Sequence, residues 1–310
     1  MRHSPAVARV PSRPATLPPG ARVPSRPAAH APVTGVPGRP APLAIAAHYA
    51  PAPMQEPVWV VIPTYNEAPN VERIVRASAL ELSAAAPGQH RILVVDDNSP
   101  DGTGAIADSL AAELDDVEVL HRETKAGLGH AYLAGFDRAL AGGAELVIEM
   151  DADFSHDPRY VSELLEAARD ADLVLGSRYV PGGGVRDWGL VRRLVSRGGC
   201  LYARTVLRVD VHDLTGGFKC IRRQVLEAID LPSVTSEGYA FQIEVTYRAI
   251  LAGFRVREIP IVFADRTAGS SKMSARIAAE AMWLVPRLRR SAAAAVARAS
   301  LPGPEVMDAP

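Results

Sequence analysis

The stretch Leu146-Val147-Ile148-Glu149-Met150-Asp151-Ala152-Asp153-Phe154-Ser155-His156 joins an apolar run to two carboxylates one residue apart. The run reads as a buried strand. Open α/β sheets bind ligands beyond the carboxyl ends of their strands, so Asp151 and Asp153 present hard oxygen ligands at a sheet edge. Such a pair suits a divalent cation held against a phosphorylated substrate. It equally suits a strand terminus or the cap of a following helix, and the stretch alone leaves both readings open.

Outward from this strand the pattern alternates. Before it come strand candidates at 58–62, 92–95 and 117–120, separated by helical stretches at 68–85, 104–114 and 128–140. After it come a helix at 158–169 and a strand at 173–175. This order argues for an α/β fold with a mostly parallel, doubly wound sheet and flanking helices. Beyond Ser177 the order loosens into a Gly-rich loop at 181–184, a basic helix at 191–207, and the turn Gly216-Gly217-Phe218. A helix at 239–251, a strand at 256–263 and a final helix at 275–290 follow. That last helix carries Met282, Trp283 and Leu284 on its apolar side and ends in Arg287, Arg289 and Arg290. It fits a shallow interfacial position and packing on the domain equally well.

Residues 1–55 are rich in Pro, Ala and Arg, and the octapeptide Ala8-Arg9-Val10-Pro11-Ser12-Arg13-Pro14-Ala15 recurs at 21–28. The first acidic residue is Glu56. Such a segment buries too little apolar surface to offset the cost of ordering, so a disordered tail is expected. The remainder divides into one catalytic domain at 56–273, an amphipathic helix at 274–292 and a flexible tail at 293–310. The formal net charge of −1 across 310 residues gives no electrostatic bias toward nucleic acid. Two cysteines, Cys200 and Cys220, are too few for a disulfide framework and point to a reducing, cytosolic setting. No apolar run approaches the roughly 18 residues needed to span a bilayer, and early Arg and Pro residues interrupt any signal-peptide core. A soluble or peripheral protein is therefore expected.

Four expected strands end in polar groups: Pro63-Thr64-Tyr65-Asn66-Glu67, Asp96-Asp97-Asn98-Ser99-Pro100-Asp101-Gly102-Thr103, Asp151-Ala152-Asp153, and Gly176-Ser177-Arg178-Tyr179. In a parallel sheet these termini meet at one edge. Single members have ordinary explanations: Asn66 and Asp101 suit helix caps, and Arg178 suits a surface ion pair. No Gly-x-Gly-x-x-Gly follows the first strand and no Gly-Lys-Ser/Thr loop occurs, which removes the main support for dinucleotide oxidoreductases and P-loop nucleotidases.

These blocks, with Gly269-Ser270-Ser271-Lys272, occur in an order and spacing that resemble the polyprenol-phosphate (dolichyl-phosphate) mannose synthases over roughly residues 58–290. The resemblance implies a GT-A fold and an inverting glycosyltransferase that moves mannose from GDP-mannose to a lipid monophosphate. It implies that Pro63, Tyr65, Glu67, Val95 and Asp97 form the guanosine pocket. Asp151 and Asp153 would ligate Mg²⁺ or Mn²⁺ on the diphosphate, with Ala152 close to the sugar nucleotide. Ser155 stands where relatives can carry a Gln that completes the metal shell. Arg178, Arg192, Arg266 and Lys272 would contact donor diphosphate or acceptor phosphate, and Ser196 would add a hydroxyl. Arg192 and Ser196 are four apart, so on a helix they share a face.

An acceptor monophosphate has a second pKa near 6 and is largely anionic at neutral pH. It needs no strong base, so the expected tasks are alignment and charge stabilisation, with Asp153, Arg178, Arg192 and Ser196 closest to the chemistry. Val191, Leu194 and Val195 with the last helix form a candidate apolar approach for a prenyl chain from the cytoplasmic face of a membrane. A separate membrane-protein partner is a further expectation. Two alternatives stand beside this reading: a related transferase using UDP-glucose or another sugar nucleotide, and a non-catalytic sugar-nucleotide-binding protein. Erosion of the carboxylates or phosphate cations would favour the second, and they are intact.

Overall fold

The alternation expected from the sequence is realised as β1 (Val58–Thr64), α1 (Val71–Ala85), β2 (His90–Asp96), α2 (Thr103–Glu113), β3 (Val117–His121), α3 (Leu128–Ala141) and β4 (Leu146–Glu149). The structure, a computed structural model, describes residues 52–264 and 282–291. A 3-10 turn at Pro158–Tyr160 then leads into α4 (Val161–Ala167), β5 (Leu173–Ser177), the short β6 (Gly184–Val185) and α5 (Leu190–Leu207). The order continues with β7 (Lys219–Arg222), α6 (Arg223–Ala228), α7 (Gly238–Leu251), β8 (Val256–Pro260) and β9 (Val262–Phe263).

Seven strands form one sheet in the order β3-β2-β1-β4-β7-β5-β8, parallel except for β7, which runs antiparallel to both neighbours. The period of two along β1 explains why helices cover both faces. Val58, Val60 and Ile62 pack with Ile74, Val75 and Leu82 of α1, Leu110 of α2 and Leu164 of α4. Trp59 and Val61 face Tyr132 and Phe136 of α3, Ala203 of α5 and Phe241 of α7. The sheet is therefore doubly wound. α3 lies close because Gly135 has no side chain: a Cβ there would sit 2.4 Å from Val61 Cγ1.

β7 and α6 were not foreseen from the sequence. Lys219-Cys220-Ile221-Arg222 is short and charged at both ends, which hides a central strand from pattern reading. The expected single strand at 256–263 is two strands, because the chain leaves β5 after Pro260 and pairs with β6 instead. Met54 is buried, and its amide donates to Ala85 O at 2.7 Å.

Residues 282–291 are helical and packed on the domain, the second of the two expectations. Val285 is buried, Leu288 packs with the layer containing α3, α5 and α7, and Arg289 Nη1 donates to Leu207 O at 3.0 Å. Met282 and Trp283 point outward, 56% and 80% exposed. The rest of the expected helix, the tail before residue 52 and that after residue 291 lie outside the described residues.

The segment before β7 is tied to β5 by a buried ion pair. Arg178 Nε and Nη2 donate to the two carboxylate oxygens of Asp213 at 2.7 and 2.6 Å, and the Arg178 amide donates to Asp213 Oδ2 at 3.0 Å. Burial works against the Asp213 charge, but the guanidinium outweighs it and holds the carboxyl below its usual range. A group with a depressed folded pKa stabilises fully above its unfolded pKa and loses that contribution as pH falls through the folded one. Asp213→Asn leaves a buried guanidinium without its counter-charge and should cost about 3–5 kcal/mol in urea unfolding at pH 7. The wild-type advantage over the variant should shrink only below about pH 4.

Candidate active site

The carboxyl ends of β1, β2 and β4 surround a cavity of about 390 Å³, a size that accommodates a nucleotide sugar in part. Pro63, Thr64, Tyr65 and Glu67 form one wall and Asp97 another, while Asp151, Ala152 and Asp153 lie at the end of β4. Seven of the residues expected to hold the sugar nucleotide are thus brought together. Val95 is not among them: it is fully buried in the α3-side core.

The first two loops are built as one unit. Ser99 Oγ donates to Asp96 Oδ1 at 2.6 Å, and the Asn66 amide donates to Ser99 Oγ at 3.1 Å. Asp101 accepts the amides of Ala68 and Thr103, both at 3.1 Å, and Thr103 Oγ1 accepts the Glu67 amide at 2.9 Å. Burial pushes the Asp101 carboxyl upward, but the bonds from Thr103 and Ala68 prevail and hold it below its usual range. The Asp-Asn-Ser-Pro-Asp-Gly-Thr block therefore shapes the first wall. Asp97 accepts from Arg122 Nη1 at 2.6 Å and from the amides of Ala126 and Gly127, each at 3.2 Å.

At the end of β4, Tyr132 Oη donates to Asp151 Oδ1 at 3.0 Å. Burial first, then the charge of Asp151, pushes the phenol well above its ordinary value, so it remains a donor. Asp153 Oδ1 accepts the Ser155 amide at 3.0 Å. Ser155 is buried beside Asp153 and is not part of the cavity lining, and its contact with Asp153 is through its amide. Beneath the cavity floor Lys219 Nζ lies 4.0 Å from Glu149 Oε2 and donates to Gln242 O at 3.0 Å. Burial raises the Glu149 carboxyl to about 7 against the opposing pull of Lys219.

The expected phosphate cations form a second cluster at the end of β5. Arg178 Nη2 donates to Thr215 Oγ1 at 2.8 Å, and Thr215 lines the cavity, so the two groups adjoin. Arg192 and Ser196 are the half-buried positions of the first turns of α5, on one face as expected. Arg192 stacks on Trp188 at 4.0 Å, and Tyr179 Oη donates to Ser196 Oγ at 2.7 Å. Around them α5 is exposed and apolar: Leu190, Val191, Leu194, Val195 and Leu201 are 51–75% exposed. Arg266 and Lys272, with the 269–272 motif, lie outside the described residues.

Sequence reading missed several cavity residues, among them Lys125, Glu237, Tyr239 and Gln242. Lys125 Nζ sits 3.5 Å above the Tyr65 ring. Glu237 accepts the Gly129 amide at 3.0 Å and also contacts His130. The available signal was Lys125-Ala126-Gly127-Leu128-Gly129, two glycines just before and within a helix start. A Cβ at Gly127 would lie 2.5 Å from Glu237 Oε2, so the spacing marks a close approach.

Two carboxylates on oxygen-rich loops fit a hard divalent cation. Among the described residues no group of three His, Cys, Asp or Glu side chains could hold a metal by itself. Among the same residues no helix is long and apolar enough to cross a membrane.

Comparison with known proteins places the site in a family. Residues 59–230 match the model of glycosyl transferase family 2. A polyprenol monophosphomannose synthase of Mycolicibacterium smegmatis is 54% identical over 228 residues, covering 73% of this chain and 84% of the relative. An undecaprenyl-phosphate mannosyltransferase of Micrococcus luteus is 47% identical over 230 residues, covering 74% and 93%. Among solved structures, glucosyl-3-phosphoglycerate synthase of Mycobacterium tuberculosis, in complex with Mn²⁺, UDP and phosphoglyceric acid, superposes with a TM-score of 0.54. It is 19% identical and covers 80% of each chain, a likeness of fold. The sheet, its polar edge and these relatives together make the chain a member of glycosyl transferase family 2.

Proposed function

We propose that this enzyme transfers mannose from GDP-mannose to a polyprenyl monophosphate, inverting the anomeric centre, with Mg²⁺ or Mn²⁺ on the donor diphosphate. The observation that carries the reading is the adjacency of the Asp151/Asp153 edge to the Arg178, Arg192 and Ser196 cluster through Thr215. The two substrates each bring phosphate. One group needs a cation bridged by carboxylates, the other needs guanidiniums and hydroxyl donors. The names of the M. smegmatis and M. luteus relatives, 54% and 47% identical, support the sugar and the lipid.

Asp151 and Asp153 would hold the metal, which supplies charge neutralisation on the departing diphosphate. Tyr65 and Lys125 flank the nucleoside side of the cavity, and Arg122 fixes Asp97 for polar contact with the base or ribose. Arg192, seated on Trp188, and Ser196 orient the acceptor phosphate, while Arg178 organises the wall between the two sites through Asp213 and Thr215. Arg266 and Lys272 are assigned to the donor diphosphate. The acceptor oxygen is already anionic, so alignment and charge stabilisation carry the rate and no side chain is assigned as base. Purified protein with Mn²⁺, labelled GDP-mannose and polyprenyl phosphate should deliver label to the lipid phase. UDP-glucose should not substitute. Asp153→Asn should lower kcat by at least 100-fold while its melting temperature stays near wild type. Wild-type-like transfer by that variant would refute the metal-bridge role.

The lipid would approach along α5 from a membrane surface. Leu190, Val191, Leu194, Val195, Trp283 and Met282 form the exposed apolar side, and Arg193 and Arg197 supply charge for anionic lipid. This supports a peripheral enzyme, which we assign to the cytoplasmic face of a membrane. Replacing both Leu190 and Leu194 by Ser should reduce co-sedimentation with phosphatidylglycerol vesicles several-fold. Transfer to a short, water-soluble prenyl phosphate should persist. Undiminished vesicle binding would exclude this face.

A further inference from the structure

We propose that His156 is a positioning residue that closes the Asp151–His156 loop and sets the two carboxylates for the metal. The proposal rests on the assignment of Asp151 and Asp153 as metal ligands. β4 ends its ladder when the Met150 amide donates to Val61 O at 3.1 Å. Asp151 lies past that ladder, and its amide donates instead to His156 Nδ1 at 2.9 Å. A half-buried amide past the end of the ladder still calls for an acceptor, and here the acceptor comes from five residues along the chain. The bond turns the segment into a closed ring that contains both carboxylates.

The ring is rigid for further reasons. Phe154 holds a left-handed backbone at φ 62°, and the Ser155 amide bonds back to Asp153 Oδ1 at 3.0 Å. His156 is 2% exposed and stacks on Phe218, with centroids 5.0 Å apart and planes 10° from parallel. The edge of Phe263 meets it at 5.6 Å. A Cβ at Gly217 would come within 3.4 Å of its Cε1, so the imidazole is held on several sides. Since Nδ1 accepts from an amide, the neutral ring carries its proton on Nε2, which lies 4.0 Å from Asp151 Oδ2. That separation is too long for a hydrogen bond. The positioning contact is therefore Nδ1, and the buried ring is not part of the cavity lining. Outer groups of this kind set ligand geometry, and their loss weakens metal binding by about 10- to 100-fold.

The test compares His156→Asn, whose amide oxygen can take the place of Nδ1, with His156→Gln, whose amide oxygen lies one methylene further out, near the place of Nε2, and His156→Phe, which keeps bulk and carries no acceptor. Mn²⁺ binding in saturating GDP is read from loss of the free-ion paramagnetic resonance signal, and folding from thermal melts in EDTA. His156→Asn should bind within about threefold of wild type, while the Gln and Phe variants should bind about 10- to 100-fold more weakly with melts near wild type. If His156→Phe does not fold, the Asn and Gln pair decides. Equal Mn²⁺ affinity in Asn and Gln variants would overturn the positioning role, as would wild-type affinity in a folded His156→Phe. Failure of wild-type protein itself to bind Mn²⁺ with GDP would instead remove the metal assignment on which the role rests.

Discussion

A parallel sheet delivers its strand ends to one side, and that constraint governs everything polar in this molecule. β1, β2, β4 and β5 run in the same direction, so the loops after Thr64, Asp96, Glu149 and Ser177 leave together. β5 does not neighbour β4, because β7 runs back between them. The antiparallel insertion keeps the end of β5 at the same edge but spaces it one strand away from Asp151. One edge thereby holds two clusters of opposite charge, carboxylates on β4 and guanidiniums beyond β5.

Their separation has an energetic logic. Asp151 and Asp153 without a cation are like charges close together, and the protein tempers them with fixed donors, Tyr132 Oη and the Ser155 amide. Arg178 is already neutralised by Asp213, and its burial would be costly without that partner. The loop carrying Asp213, Thr215 and Gly217 therefore serves both sides: Asp213 anchors Arg178, while Thr215 and Gly217 reach the cavity wall. Only then do Arg192 and Ser196, on the half-buried face of α5, present polar groups beside an otherwise apolar and exposed helix surface.

Much of this was legible in the sequence, for physical reasons. Strong periodicity and buried runs of β-branched residues located β1 to β5 and the helices between them, and strand-end polarity located the edge. The reading lost resolution where local pattern and tertiary role diverge. Lys219 reads as a surface residue yet lies fully buried beneath the cavity, and β7 was missed with it. Val95 stands beside Asp96 and Asp97 but is still within β2, where its side chain packs in the core, whereas Asp97 lies past the strand end. Glu237 is distant in sequence and polar in a loop, and only the packing of Gly127 and Gly129 against it reveals its place. The bond from the Ser155 amide to Asp153 depends on the backbone turn at Phe154, which residue type alone does not reveal.

The most direct measurement is anomalous diffraction from crystals grown with Mn²⁺ and GDP. The prediction is one manganese peak in coordination contact with the carboxylates of Asp151 and Asp153 and with oxygens of both phosphates, the guanosine lying toward Tyr65 and Asp97. A manganese peak away from that edge, or GDP bound with its phosphates turned from Asp151 and Asp153, would contradict it.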